Sequence, residues 1–160
     1  MQNICGLLHT FVQVRGYKAI TKCLPHEVRD VEPAILLLTR LHDRGPETIS
    51  GQAVGGSMTE EFGAAWSSRC ALLLWLSVLV LIPFDLKTVD AKSIETPNDS
   101  VLPFQASERI SGVPRTVQHL IHLCTQFLDD PGPTRLMACV LLSRLLTRPD
   151  TGVALDLFMR

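Results

Sequence analysis

Residues 114–150, PRTVQHLIHLCTQFL-DDPGP-TRLMACVLLSRLL-TRPD, decide the fold. In the first segment Val117, Leu120, Ile121, Cys124 and Leu128 recur at steps of three and four, the spacing that returns side chains to one face of an α-helix. The Asp-Asp-Pro-Gly-Pro run breaks that helix, because proline lacks an N–H and glycine admits turn geometry. Residues 134–146 are apolar except near Arg135, Ser143 and Arg144, so this second helix is expected to be covered on most sides. Thr147-Arg-Pro-Asp150 reads as another inter-helix turn, and Val153 to Met159 starts a third helix. Helix, short turn, nearly buried helix, short turn, helix is the pattern of stacked HEAT or armadillo repeats, at roughly 40–47 residues per unit. The expectation is an all-α chain, a single armadillo/HEAT-like α-solenoid region over 1–160, although no strict internal sequence repeat is visible.

Upstream the same period continues. Ala64 to Ile82 reads as a helix that is amphipathic near Trp66 and Arg69 and apolar on all sides from Leu72 to Ile82, so Leu72, Trp75 and Leu79 are expected to be buried. Its apolar run is too short for a membrane span of about 20 residues. From Asp30 to Leu41 a helix carries Val28, Val31, Ile35, Leu38 and Leu41 on one face, with Asp30 as its cap and Pro33 in its first turn. Residues 4–14 form a helix with apolar side chains on more than one face, Gly16 marks a turn, and Tyr17 to Leu24 form a shorter helix stopped by Pro25. Residues 43–63 and 83–113, rich in Gly, Pro and polar residues, are expected to be flexible insertions.

Composition removes several function classes. Of 160 residues, 46% are hydrophobic and 19% charged, and 15 Lys and Arg face 16 Asp and Glu, for a formal net charge of −1. Acids and bases alternate, as in Glu27, Arg29, Asp30 and Glu32, so no basic face exists to track nucleic-acid phosphates. The five cysteines, Cys5, Cys23, Cys70, Cys124 and Cys139, are odd in number and form no CxxC. They read as buried free thiols of a reducing cytosol rather than as disulfides. The N-terminus carries no basic region and no small-residue cleavage site.

Each motif with chemical potential has a plainer reading. Gly51 to Met58 looks like a phosphate loop, but it lacks the lysine and the preceding strand, so it reads as a loop. His26-Glu27-Val-Arg-Asp30 begins like HExxH, yet Asp30 stands where the second imidazole would be, so it reads as the start of a helix. His119, His122 and Cys124 are the best metal candidates. Cys124 lies about 140° from the histidines around the helix, and no fourth ligand is near, so a surface histidine pair and a core thiol compete with the metal site. Cysteine–histidine catalysis needs a thiolate in a polar pocket, whereas these thiols sit among leucines. No catalytic, cofactor-binding or metal residue is assigned, and the partner-contact residues are unassigned.

Three segments, in order, resemble tubulin-specific chaperone D. They are Val14-Arg-Gly-Tyr-Lys18 with Leu24-Pro-His-Glu-Val28 and Asp30-Val-Glu-Pro33; Leu72-Leu-Leu-Trp-Leu-Ser-Val78 leading into Leu81-Ile-Pro-Phe-Asp85; and Val140-Leu-Leu-Ser-Arg-Leu-Leu-Thr-Arg-Pro-Asp150. The resemblance spans about residues 7–150. It implies part of the N-terminal helical-repeat region of a protein several times longer. The role it implies is that of a non-enzymatic, cytoplasmic, cytoskeleton-associated chaperone. Such a chaperone binds β-tubulin and works with cofactors C and E in assembling the α/β-tubulin heterodimer. With them it stimulates GTP hydrolysis by tubulin, and it binds a small Arf-like GTPase. Two other functions compete: a generic helical-repeat adaptor with a different partner, and a small helical enzyme or metal protein built on His119 and His122.

Overall fold

A computed structural model describes residues 2–43, 58–88, 112–130 and 132–159. Among the described residues every regular element is helical. The helices are α1 (Gln2–Arg15), α2 (Tyr17–Ile20), α3 (Val31–Asp43), α4 (Met58–Leu79), α5 (Arg115–Leu128), α6 (Pro133–Leu146) and α7 (Gly152–Phe158), with 3-10 turns at Thr21–Cys23, Val28–Asp30 and Pro149–Thr151.

The contacts set the directions of the helices. Arg69 of α4 reaches the Leu41 carbonyl near the end of α3, and Trp75 reaches Pro25, just before α3. Helices α3 and α4 therefore run antiparallel. Arg135 at the start of α6 reaches Leu128 at the end of α5, so α5 and α6 form a second antiparallel hairpin. Between hairpins the sense is reversed. Cys70 meets Thr134 and Ser77 meets Arg144, so α4 and α6 run parallel. Thr39 meets His119 and His42 meets Phe127, so α3 and α5 also run parallel. Antiparallel pairs stacked in parallel register are the geometry of a solenoid. One layer holds α3 and α5. The other holds α4 and α6, with α1 packed on α4 beside the α4–α6 groove, His9 lying edge-on over Trp66 at 4.5 Å.

The core lies between the layers. Val31, Ala34, Ile35 and Leu38 of α3 meet Leu72, Leu73, Leu76 and Leu79 of α4, and Val117, Leu120, Leu123 and Phe127 of α5 meet Met137, Leu141 and Leu145 of α6. On α3 Val31, Ile35 and Leu38 keep the period read from the sequence; on α5 Val117, Leu120 and Cys124 are inside as expected, but Leu123 and Phe127 are buried in place of the half-buried Ile121 and Leu128.

Several boundaries differ from expectation. Helix α4 begins at Met58, inside the segment read as an insertion, and Met-Thr-Glu-Glu with two alanines close behind is good helix-forming sequence. Residues 83–88 pack onto the stack: Leu86 is fully buried, and Asp85 caps a helical turn by accepting the Lys87 N–H at 2.9 Å. The flexibility expected for 43–63 and 83–113 otherwise falls largely outside the described residues. The approach to α3 is a 3-10 turn over Val28–Asp30 rather than a helix capped at Asp30. Leu72 and Leu79 are buried as expected, but Trp75 is only half-buried. Its indole N–H needs an acceptor and finds the Pro25 carbonyl at 2.7 Å, which holds the ring at the edge of the thin α2–α3 linker.

Candidate interaction surface

The residues singled out for chemistry do not converge. His119 is no surface histidine: it is 3% exposed, and its Nε2 lies 2.9 Å from the Thr39 hydroxyl across the α3–α5 joint. Burial holds its pKa below the ordinary 6.5, with His122 adding to that effect and Asp43 opposing it. His122 is exposed and pairs with Gln126 one turn on at 3.2 Å. Cys124 points into the core, where burial pushes its thiol far up. Among the described residues no three His, Cys, Asp or Glu side chains come together as metal ligands.

All five cysteines are free, but only Cys70 and Cys124 are buried, while Cys23 and Cys139 are exposed. The reading of the thiols as mostly buried is corrected: Cys23 lies on a short 3-10 turn, and Cys139 lies on the flank of α6. Burial raises the Cys70 thiol, partly offset by its 3.5 Å contact with Thr134. His26 is exposed, and Glu27 pairs with Arg29 at 2.7 Å in open solvent, where such pairs contribute little. Residues 51–57 of the glycine-rich stretch lie outside the described residues.

What the sequence did not announce is a set of arginines at helix ends. A helix leaves its last carbonyls without intrahelical donors. In each hairpin an arginine of the second helix donates to the end of the first: Arg69 to Leu41 at 2.9 Å, and Arg135 to Leu128 at 2.8 Å. The end of α4 is closed from the next hairpin. Arg144 donates to the Ser77 carbonyl at 3.0 Å, while Arg148 forks onto the carbonyls of Val80, Ile82 and Phe84 and pairs with Asp150 at 2.7 Å. The Asp150 carboxyl is held below the ordinary carboxylate range, chiefly by the Arg148 hydrogen bond and further by the Leu86 amide. A lone arginine in a turn gives no sequence signal for this role, because the acceptors lie more than 60 residues away.

With those cations committed to structure, the notable feature of the outside is apolar. Helix α1 turns Leu8 and Val12 toward α4 and α6, where they line a narrow crevice with Cys70, Leu74 and Met137. Its free volume, ≈ 10 Å³, is at the lower limit for one water and offers no ligand pocket. The opposite side of α1 carries Ile4, Leu7, Phe11 and Val14, between 57% and 74% exposed and spaced 3-4-3, which makes one stripe along the helix. At the other end of the stack Val153, Leu155, Leu157, Phe158 and Met159 are exposed on and just after α7. Contiguous exposed apolar residues mark places where protein surfaces meet. No helix among the described residues is long and apolar enough to cross a membrane.

Comparison with known proteins agrees with a helical-repeat surface. A family model described as tubulin-specific chaperone D-like, ARM repeat, matches residues 1–160. Tubulin-folding cofactor D of the fission yeast Schizosaccharomyces pombe is 25% identical over 157 residues, which cover 98% of this chain and 10% of that protein. The chain thus spans about a tenth of the length of the curated relative it matches. No solved structure matches the chain.

Proposed function

The chain belongs to the tubulin-specific chaperone D-like armadillo-repeat family, and from that premise we propose that it is a β-tubulin-binding module of a tubulin-folding chaperone. The observation that carries the reading is the family match over all 160 residues. The fold supports it. Stacked hairpins present an extended surface rather than a pocket, and the described residues offer an apolar stripe on α1. In this reading the module acts by contact in the cytoplasm, beside the cytoskeleton. It works with cofactors C and E in assembly of the α/β-tubulin heterodimer and helps them stimulate GTP hydrolysis by tubulin. A small Arf-like GTPase is a further partner of the longer protein.

Size-exclusion chromatography of the folded chain with tubulin tests the reading. Co-elution with β-tubulin at micromolar concentrations, weakened by charged residues in the α1 stripe, is the expected result. A well-folded chain that ignores tubulin even at about 100 μM, a level at which contacts of ~5 kcal/mol still register, overturns it. A generic adaptor with another partner then takes its place.

A further inference from the structure

The two layers of the stack are joined by different chemistry. The α4–α6 joint is held by the Cys70–Thr134 contact among buried leucines of both helices and closed by Arg144 and Arg148, none of which changes charge between neutral and mildly acidic pH. The α3–α5 joint is built around imidazoles. His119 of α5 is bonded to Thr39 of α3, and His42 of α3 stands edge-on to Phe127 of α5 with ring centroids 5.3 Å apart. The Thr39 hydroxyl also lies 2.9 Å from the Ile35 carbonyl. With its proton on that carbonyl, Nε2 of neutral His119 is the donor to Thr39. This hydrogen bond therefore survives protonation of the ring. What changes is that a cation is created at a position 3% exposed.

We propose that the α3–α5 joint is an acid-sensitive hinge, in which protonation of His119 opens this layer of the solenoid while the α4–α6 layer stays closed and acts as the axis. Hydrating a buried cation is the driving force, because a charged ring in an apolar joint is strongly disfavoured. The groups around it set the balance. His122 on the same helix adds like charge, and Asp43 at the end of α3 favours the cation, while His42 of α3 stands across the joint against Phe127. Arg69 of α4 is committed to the Leu41 carbonyl, and Arg135 and Arg144 of α6 to Leu128 and Ser77, so these cations stay where they are. The inference is independent of the identity of the partner. Opening one layer changes the curvature of the surface that the stack presents.

Hydrogen exchange on the intact chain, expressed as protection factors at about pH 7.5 and about pH 5.5, reads the hinge directly, since these values bracket histidine titration. The expected result is a loss of ~tenfold or more, the equivalent of one pKa unit, at amides of α3 and α5, with Leu73, Leu76, Leu141 and Leu145 unchanged. In the His119→Gln variant the loss disappears. Unchanged protection in α3 and α5, or parallel loss in all four helices, overturns the proposal. So does a loss that persists in His119→Gln but vanishes in His42→Gln or His122→Gln. Should His119→Gln fail to fold, the imidazole titration followed by NMR in the unmodified chain decides, and a His119 midpoint at or above 6.5 overturns the hinge. His9, between α1 and α4, also titrates below its ordinary value through burial, and its effect is separable because it falls on the α1–α4 contact and not on α3 or α5.

Discussion

Gly16 ends α1 with φ 78° and ψ 149°, a backbone region that residues with a Cβ adopt only under strain. Beyond its chain neighbours no atom lies within 4 Å of where a Cβ would stand, so a substitution there meets conformational strain and no clash with other residues. Gly16→Ala is therefore expected to lower stability by ~1–3 kcal/mol, read as a shift of the urea midpoint at constant slope. Leu73 is fully buried in α4, and Leu73→Ala should cost about 2–5 kcal/mol as a cavity opens in the core. At this scale the sequence was legible wherever periodicity settles the matter: Leu72, Leu79, Val31, Ile35 and Leu38 are inside as their spacing implies. It was not legible for Trp75 and His119. Their exposure depends on which neighbour lies opposite, a thin linker for Trp75 and helix α3 for His119, and spacing along one helix carries no information about that.

The helix ends are where elements are fixed to one another. Arg148 is the strongest case, since its side chain is 9% exposed and serves three carbonyls and a carboxylate. Arg148→Met leaves Asp150 as an unpaired, partly buried charge, and the expected loss is ~3–5 kcal/mol. Arg148→Lys should recover only part of it, because an ammonium cannot fork onto several acceptors. Equilibrium denaturation of the two variants checks both statements. The pair also has a pH signature. Asp150 titrates below 3.8 in the fold, so its contribution is present above that value and is lost as pH falls through the lower folded pKa. Asp150→Asn should therefore flatten the acid limb of the stability curve and leave the histidine region unchanged. Element existence was legible from the start, and α5, α6 and α7 lie within one residue of their expected bounds. The arginine ties were not legible, because they join positions distant in sequence without any motif.

For the molecule as a whole, the orientation of α1 decides what surface the stack offers. Leu7 and Phe11 face outward, while Val12 packs against the core. Leu7→Glu and Phe11→Glu should change stability by no more than about 0.5 kcal/mol and improve solubility at high concentration, whereas Val12→Glu should destabilise clearly. Thermal melts with sedimentation on the three variants check this. If Val12→Glu were the neutral one, the assignment of the stripe would be reversed. The layered arrangement also sets an order of events that no single contact reveals. The α5–α6 hairpin closes across a turn of four residues, whereas Cys70 and Thr134 must meet across 64. Loop-closure entropy favours the shorter circuit, so the carboxy-terminal hairpin is the natural nucleus. A ribosome nevertheless delivers α3 and α4 first. Until the later hairpin emerges, the face of α4 that α6 will cover stays open, and the rate of translation through residues 89–146 is expected to influence yield.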